Sequence, residues 1–313
     1  MFRNRITEMI GCEIPILQAP MGFIARAPLA SAVANAGAIG MIETSSGELD
    51  VVREEIRRMP ELAPGKPFAV NVAQAFVRDP AIVDFIVEQG VTFVTTSAGD
   101  PTRYTRQLKE AGVTVFHVVP TLRAALKAVD AGVDGLVVEG AEGGGFKNPR
   151  DVSTMVLLPL VASKVDVPVI AAGGFLDGRT MAAAFALGAE GIQMGTRMVA
   201  SAESPIHDNW KQAIVDAAET GTVLLNRHRS PAVRVLRTKL TERLEFDTTG
   251  NAMEAMAGVQ ELYFGGDLEA GLPFSGQVAG RIDSVRPVAE VLEECARECL
   301  EVLGALRDQY LDG

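Results

Sequence analysis

Two glycine-bearing turns carry the clearest chemistry in the chain. The first reads Ile170-Ala171-Ala172-Gly173-Gly174-Phe175 and runs on into Asp177-Gly178-Arg179-Thr180. The second reads Gln193-Met194-Gly195-Thr196-Arg197. Adjacent glycines let backbone approach an anion closely and aim N–H groups at it. A helix starting directly after such a turn adds its positive N-terminal end. The pair therefore reads as a phosphate cradle that needs no metal and suits a cofactor phosphate such as that of FMN. The bland reading is two tight turns that only connect a strand to a helix.

Other segments place small or polar residues where a ligand could lie. Ala19-Pro20-Met21-Gly22 follows an apolar run, and Asn71 sits in Phe68-Ala69-Val70-Asn71-Val72. A carboxamide both donates and accepts, as a flavin or pyrimidine edge requires. Thr95-Thr96-Ser97-Ala98-Gly99 is a third polar turn, and Glu139-Gly140-Ala141-Glu142-Gly143-Gly144-Gly145-Phe146-Lys147 a fourth. Three successive glycines are entropically costly unless backbone must approach a ligand or move.

These turns need elements to hold them, and one pattern recurs. A helical stretch rich in Ala and Leu ends at a glycine, and a short β-branched run follows, as in Ala111-Gly112-Val113-Thr114-Val115 and Leu187-Gly188-Ala189-Glu190-Gly191. Glycine there permits the left-handed residue that closes a helix. The pattern predicts eight strands: 14–18, 39–43, 68–72, 93–96, 113–119, 135–139, 167–171 and 191–194. They are apolar almost throughout, as strands buried on both faces must be. Helices are expected at 28–36, 51–59, 82–89, 104–111, 122–131 and 179–187. Strand starts lie 20 to 32 residues apart, one β-α unit each. The fold class is therefore α/β, a (β/α)8 TIM barrel. The rival, an open doubly wound sheet, would place a GxGxxG turn after the first strand, where Ala19-Pro20-Met21-Gly22 stands instead.

After Thr196 the repeat stops. Residues 201–313 read as helices and loops, with helices expected at 210–219, 233–244, 252–261 and 288–306. This helical extension is too long to be only the last barrel helix, so a lid over the barrel mouth is its natural use. Arg227, Arg229, Arg234 and Arg237 cluster within it beside His228. They form either a positive rim for an anionic substrate, with a CoA or carrier-protein thioester the best fit, or a solvated face paired with Glu242, Glu245 and Asp247.

Composition narrows the function classes. The net charge is −11 and the pI near 4.9, so a basic footprint for nucleic acid or an anionic membrane is absent. No apolar run is long enough for a spanning helix, and residues 1–7 carry no signal-peptide pattern, which predicts a cytoplasmic protein. Three cysteines, Cys12, Cys295 and Cys299, are too few for a disulfide scaffold. Cys295 and Cys299 lie one helical turn apart, but no third ligand accompanies them, so no metal site is expected.

The whole set of motifs resembles the nitronate monooxygenase (2-nitropropane dioxygenase-like) flavoproteins and their relatives, the FMN-dependent enoyl-acyl-carrier-protein reductases and NADH:quinone reductases. The resemblance runs from Thr7-Glu8 and Pro15-Ile16-Leu17-Gln18 through the two glycine turns to Ser275-Gly276-Gln277-Val278-Ala279-Gly280. It implies an FMN-binding barrel core over residues 1–200, with 201–313 as lid and barrel-closing helix. It implies FMN phosphate on Gly173, Gly174, Gly195 and Thr196, flanked by Gln193 and Met194. Asn71 would meet the ring system or ribityl chain, and Ala19, Pro20 and Met21 would pass along the isoalloxazine. Glu139 and Gly144 match two further cofactor-contacting positions.

One departure stands out. Where the family commonly reads Glu-Ala-Gly-Gly-His, this chain reads Glu142-Gly143-Gly144-Gly145-Phe146, and phenylalanine cannot transfer a proton. His117, Glu142 and Lys147 are the nearest replacements. The activities implied are oxidation of alkyl nitronates with O2, or NAD(P)H-dependent reduction of enoyl thioesters or quinones through FMN. The missing proton-transfer residue adds a third reading, a non-catalytic FMN-binding protein.

Overall fold

The computed structural model describes residues 2–310. Its strands are β1 (Ile16–Gln18), β2 (Gly40–Ile42), β3 (Phe68–Ala73), β4 (Phe93–Ser97), β5 (Thr114–Val119), β6 (Gly135–Glu139), β7 (Gly145–Lys147), β8 (Val169–Ala172), β9 (Gly191–Met194), β10 (Thr222–Leu225) and β11 (Ala232–Leu236). Eight of them form one parallel sheet in the order β1-β9-β8-β6-β5-β4-β3-β2. The isolated bridge Leu17↔Ile39 brings the first and last members together and closes the ring. The fold is the expected α/β barrel, with helices such as Ala27–Asn35, Leu122–Asp130 and Gly178–Ala186 wrapped outside.

Alternation along each strand splits the core in two. Leu17, Met41, Ala69, Phe93, Phe116, Val137 and Ile170 fill the barrel interior. Ile6 and Ile10 of the short helix Arg5–Ile10 join that same cluster. Phe93 and Phe116 meet edge to face at 5.2 Å. A Cβ on Gly135 would collide with the Phe116 ring, so glycine there is what admits the aromatic pair. The second and larger core lies between strands and outer helices.

The extension departs from the helical expectation. Residues 233–244 do not form one helix: β11 takes Ala232–Leu236 and a separate helix takes Lys239–Phe246. β10 and β11 form an antiparallel hairpin, and β7 adds to it through Val233↔Phe146 and Arg234↔Gly145. The alternation of Val233, Val235 and their neighbours fits a half-buried strand, but its partner β7 lies far back in the chain and begins at a glycine. Residues 252–261 become a 3-10 turn, Ala252–Gly258, followed by a π-helical turn, Glu261–Gly265. The last helix, Val288–Tyr310, packs along Gly178–Ala186 and Ala27–Asn35. Cys295 and Cys299 are buried at that contact, and burial raises both thiols. Among the described residues no helix is long and apolar enough to cross a membrane.

Candidate functional site

A cleft of about 680 Å³ opens at the C-terminal ends of the barrel strands. Its floor is made by the turns after β1, β3, β4, β5, β6, β8 and β9, and its roof by Ser230-Pro231, Met256, Val259, Tyr263, Phe274 and Val278. Ala19, Pro20, Met21, Asn71, His117, Glu139, Glu142, Gly144, Phe146, Lys147, Gly173, Gly174, Gln193, Gly195 and Thr196 all line it. Met194 does not. Its side chain is fully buried in the outer core, because it alternates away from Gln193, and its carbonyl accepts from the Ala19 N–H at 2.9 Å.

Gly173 and Gly174 take φ of 85° and 98°, the left-handed region that an L side chain rarely enters. A Cβ on Gly174 would meet nothing closer than Glu142 Cβ at 3.8 Å, so the turn leaves open space on its cleft side. The Thr196 hydroxyl accepts from the Gly276 N–H at 2.8 Å and ties the extension to the second turn. Gln193 presents a buried Oε1 with no protein partner. One part of the expected cradle is corrected. The N-terminus of helix Gly178–Ala186 is occupied by protein carboxylates: its N-cap Asp177 accepts from Thr180 N at 2.8 Å, and Glu298 of helix Val288–Tyr310 accepts from Gly178 N at 2.9 Å. That helix end has its anions already.

The three candidate proton-transfer groups differ in their freedom. Glu142 is committed: its carboxylate accepts from the Thr154 N–H at 2.9 and 3.0 Å and from the Thr154 hydroxyl at 2.8 Å, capping helix Thr154–Ala162. His117 is buried within β5, two residues before its end, with Nδ1 2.7 Å from the Thr96 hydroxyl. Desolvation lowers its pKa to about 4, so the ring is neutral near pH 7. Lys147 lies in β7 with Nζ 2.5 Å from Glu139 Oε1, and its side chain is only 5 % exposed. Asn71 donates to the Thr95 hydroxyl at 2.9 Å and accepts from Ser97 at 3.3 Å, which fixes its carboxamide.

Phe146 is the middle ring of three. It stacks on Phe76 at 5.6 Å and meets Phe274 edge-on at 5.5 Å. Sequence reasoning missed Phe76, Phe274 and the Trp210–Tyr263 stack at 4.3 Å, all of which line the cleft. They come from four separate segments and share no spacing. His207 caps the helix Asp208–Val215 through Nδ1, and His228 is exposed.

The arginine cluster divides. Arg237 pairs with Glu245 at 2.7 Å and approaches Glu242, the solvated pairing that the charge pattern allowed. Arg229 donates to the Thr249 carbonyl at 2.9 Å. Arg234 is buried and donates from Nε to the Ala141 carbonyl at 2.7 Å, clamping the hairpin onto the turn after β6. None of the four lines the cleft, which corrects the expectation of a positive rim.

The family model described as nitronate monooxygenase matches residues 3–85 and 74–298. The chain belongs to the nitronate monooxygenase family. A (3aS,4S,5R,7aS)-5-hydroxy-7a-methyl-1-oxo-octahydro-1H-indene-4-carboxyl-CoA dehydrogenase of Mycobacterium tuberculosis is 32 % identical over 95 % of this chain and 96 % of its own. A nitronate monooxygenase of Paraburkholderia phytofirmans is 28 % identical over 97 % of both. Among solved structures, FabK from Thermotoga maritima superposes with a TM-score of 0.92 at 38 % identity, covering 98 % of this chain and 99 % of its own. A nitroalkane oxidase from Streptomyces ansochromogenes gives 0.82 at 25 % identity, over 97 % and 100 %. The chain is thus an oxidoreductase of this family, and its barrel is the family's barrel.

Proposed function

We propose that this family member is an FMN-dependent oxidoreductase that moves a hydride between FMN and the β-carbon of an apolar acyl thioester while the α-carbon exchanges one proton with solvent, with NAD(P)H as the redox partner in the reducing direction. The observation that carries the reading is the Phe76–Phe146–Phe274 trio. All three rings line the cleft, with Phe146 at the place where a proton-transfer group would serve a small nitronate, and they offer apolar surface to a larger acyl or ring system. The carboxyl-CoA substrate named for the mycobacterial relative has that character.

The residues present fit FMN. Gly173, Gly174, Gly195 and Thr196 would hold the phosphate, and the unpartnered Gln193 Oε1 has an acceptor to offer the ribityl hydroxyls. Asn71, Ala19, Pro20, Met21, Glu139 and Gly144 would border the rest of the cofactor. Bound FMN supplies the two-electron chemistry, and protein supplies orientation and electrostatics. Asn71, pinned by Thr95 and Ser97, would orient the ring edge. Pro231, Met256 and Val259 in the roof would keep water from it.

A second reading, nitronate oxidation with O2, draws on the family model and the Paraburkholderia relative. One experiment separates the two. Acid or heat should release FMN of the correct mass and no adenine-containing flavin. Mixed anaerobically, NADH or NADPH should bleach the flavin and an enoyl-CoA should restore its colour. Bleaching by an alkyl nitronate, with no response to thioesters, would replace the proposal by the second reading. A bound flavin that responds to none of them would make the chain a non-catalytic FMN-binding protein.

A further inference from the structure

Lys147 is the only lysine or arginine among the residues that line the cleft. Its Nζ donates to Glu139 Oε1 at 2.5 Å, and an ammonium has three N–H donors. Glu139 keeps 26 % of its side chain exposed, whereas Lys147 keeps 5 %, so the cation is the more deeply held member. A buried lysine with a single partner is expensive unless a second anion completes its shell.

The glycine run places this pair against the cradle. A Cβ on Gly143 would lie 2.5 Å from Glu139 Oε1 and 2.8 Å from Lys147 Nζ, so no side chain fits there while the pair stands. Gly143 also lies against the first turn: a Cβ on Gly173 would lie 3.0 Å from the Gly143 N–H nitrogen and 3.0 Å from the Gly140 carbonyl. Lys147 and the Gly173-Gly174 turn therefore share Gly143 as common wall. The other nearby carboxylate, Glu142, is already bound to Thr154, and Arg234 is spent on Ala141. A cradle made only of backbone amides would face a dianionic phosphate with no formal counter-charge.

We infer that Lys147 is the counter-charge for the cofactor phosphate in the Gly173-Gly174 cradle. The inference rests on the FMN reading above. Glu139 and the phosphate then compete for the same ammonium: Glu139 neutralises it in the free protein, and the phosphate takes over that role when FMN binds.

The test is flavin affinity, read by fluorescence on the full chain freed of flavin and retitrated with FMN and with riboflavin, which lacks the phosphate. Lys147→Gln should weaken FMN by about tenfold or more and leave riboflavin unchanged. Lys147→Arg should recover most of the loss. Glu139→Gln removes the competitor and should hold FMN at least as tightly as wild type. An ordinary structural ion pair behaves differently: both single variants loosen the site, and FMN and riboflavin fall together. That outcome overturns the inference, as does Lys147→Gln with wild-type FMN affinity. Should Lys147→Gln fail to fold, Glu139→Gln decides alone, because weakened FMN binding there refutes the competition. Wild-type protein that binds no FMN at all would defeat the FMN reading itself, and this inference with it, before any variant is made.

Discussion

Phe146 ties substrate choice to a single ring. Replacing it by histidine would insert a group that titrates near neutral pH between Phe76 and Phe274. Phe146→His is expected to raise kcat/KM for alkyl nitronates, to add a limb to the pH profile, and to lower kcat/KM for an apolar enoyl-CoA. Steady-state kinetics on both substrates checks it, and unchanged ratios would show that the ring does not select. His117 makes a prediction of a different kind. Its pKa falls from 6.5 to about 4 on burial, so the unfolded chain takes the proton first. The stability that neutral His117 contributes is complete above pH 6.5 and declines as pH falls toward about 4. Thermal unfolding followed across that range should steepen in wild type, and His117→Gln should flatten it. At this scale the sequence showed what motif spacing can show. Asn71 and the two glycine turns were legible because their chemistry is local. Phe76 and Phe274 were not, because three loops must fold together before the rings meet.

Strands and helices followed the glycine punctuation closely. The run 113–119 became Thr114–Val119, and 122–131 became Leu122–Asp130, because a helix that ends in left-handed glycine leaves little freedom for the next strand's start. The reading failed where pairing is long-range. β7 has three residues and begins at Gly145, so nothing local marks it as the edge on which β10 and β11 build. The charge pattern left two readings there: Arg237 follows the paired one, whereas Arg234, basic in sequence, serves as a clamp. Arg234→Ala should therefore lower Tm by freeing the hairpin from the Ala141 turn, whereas Arg237→Ala should leave both Tm and thioester KM nearly unchanged, as an exposed ion pair would. Gly178 offers a sharper test of packing. Its Cβ would run into Cys299 N and Glu298 Cβ on the last helix. Gly178→Ala should cost about 1–3 kcal/mol, read by denaturant unfolding, because two packed helices must move apart. A neutral result would mean that the contact has slack.

At the scale of the whole molecule, the barrel gives this acidic chain a rigid floor and the extension gives it a roof. The roof is anchored at several points: Thr196 to Gly276, Arg234 to Ala141, and β11 to β7. Each anchor joins a residue of the extension to one of the strand-end turns. The cleft is therefore not finished by the barrel alone, which accounts for its carrying a composition that the β-α repeat did not announce.

The seam of the ring has a consequence for how the chain is made. β1 pairs with β9 and, through Leu17↔Ile39, with β2, while helix Val288–Tyr310 lies over Ala27–Asn35 and Gly178–Ala186. During synthesis β1 thus waits for β9, about 170 residues later, to complete its edge, and the outer face of that junction waits for helix Val288–Tyr310. Until then the sheet is an open one, with Ile16 and Leu17 lacking part of the packing that buries them in the finished fold. Arrested chains ending near residue 285 should remain protease-sensitive, and release of helix Val288–Tyr310 should convert them to the resistant form in one step.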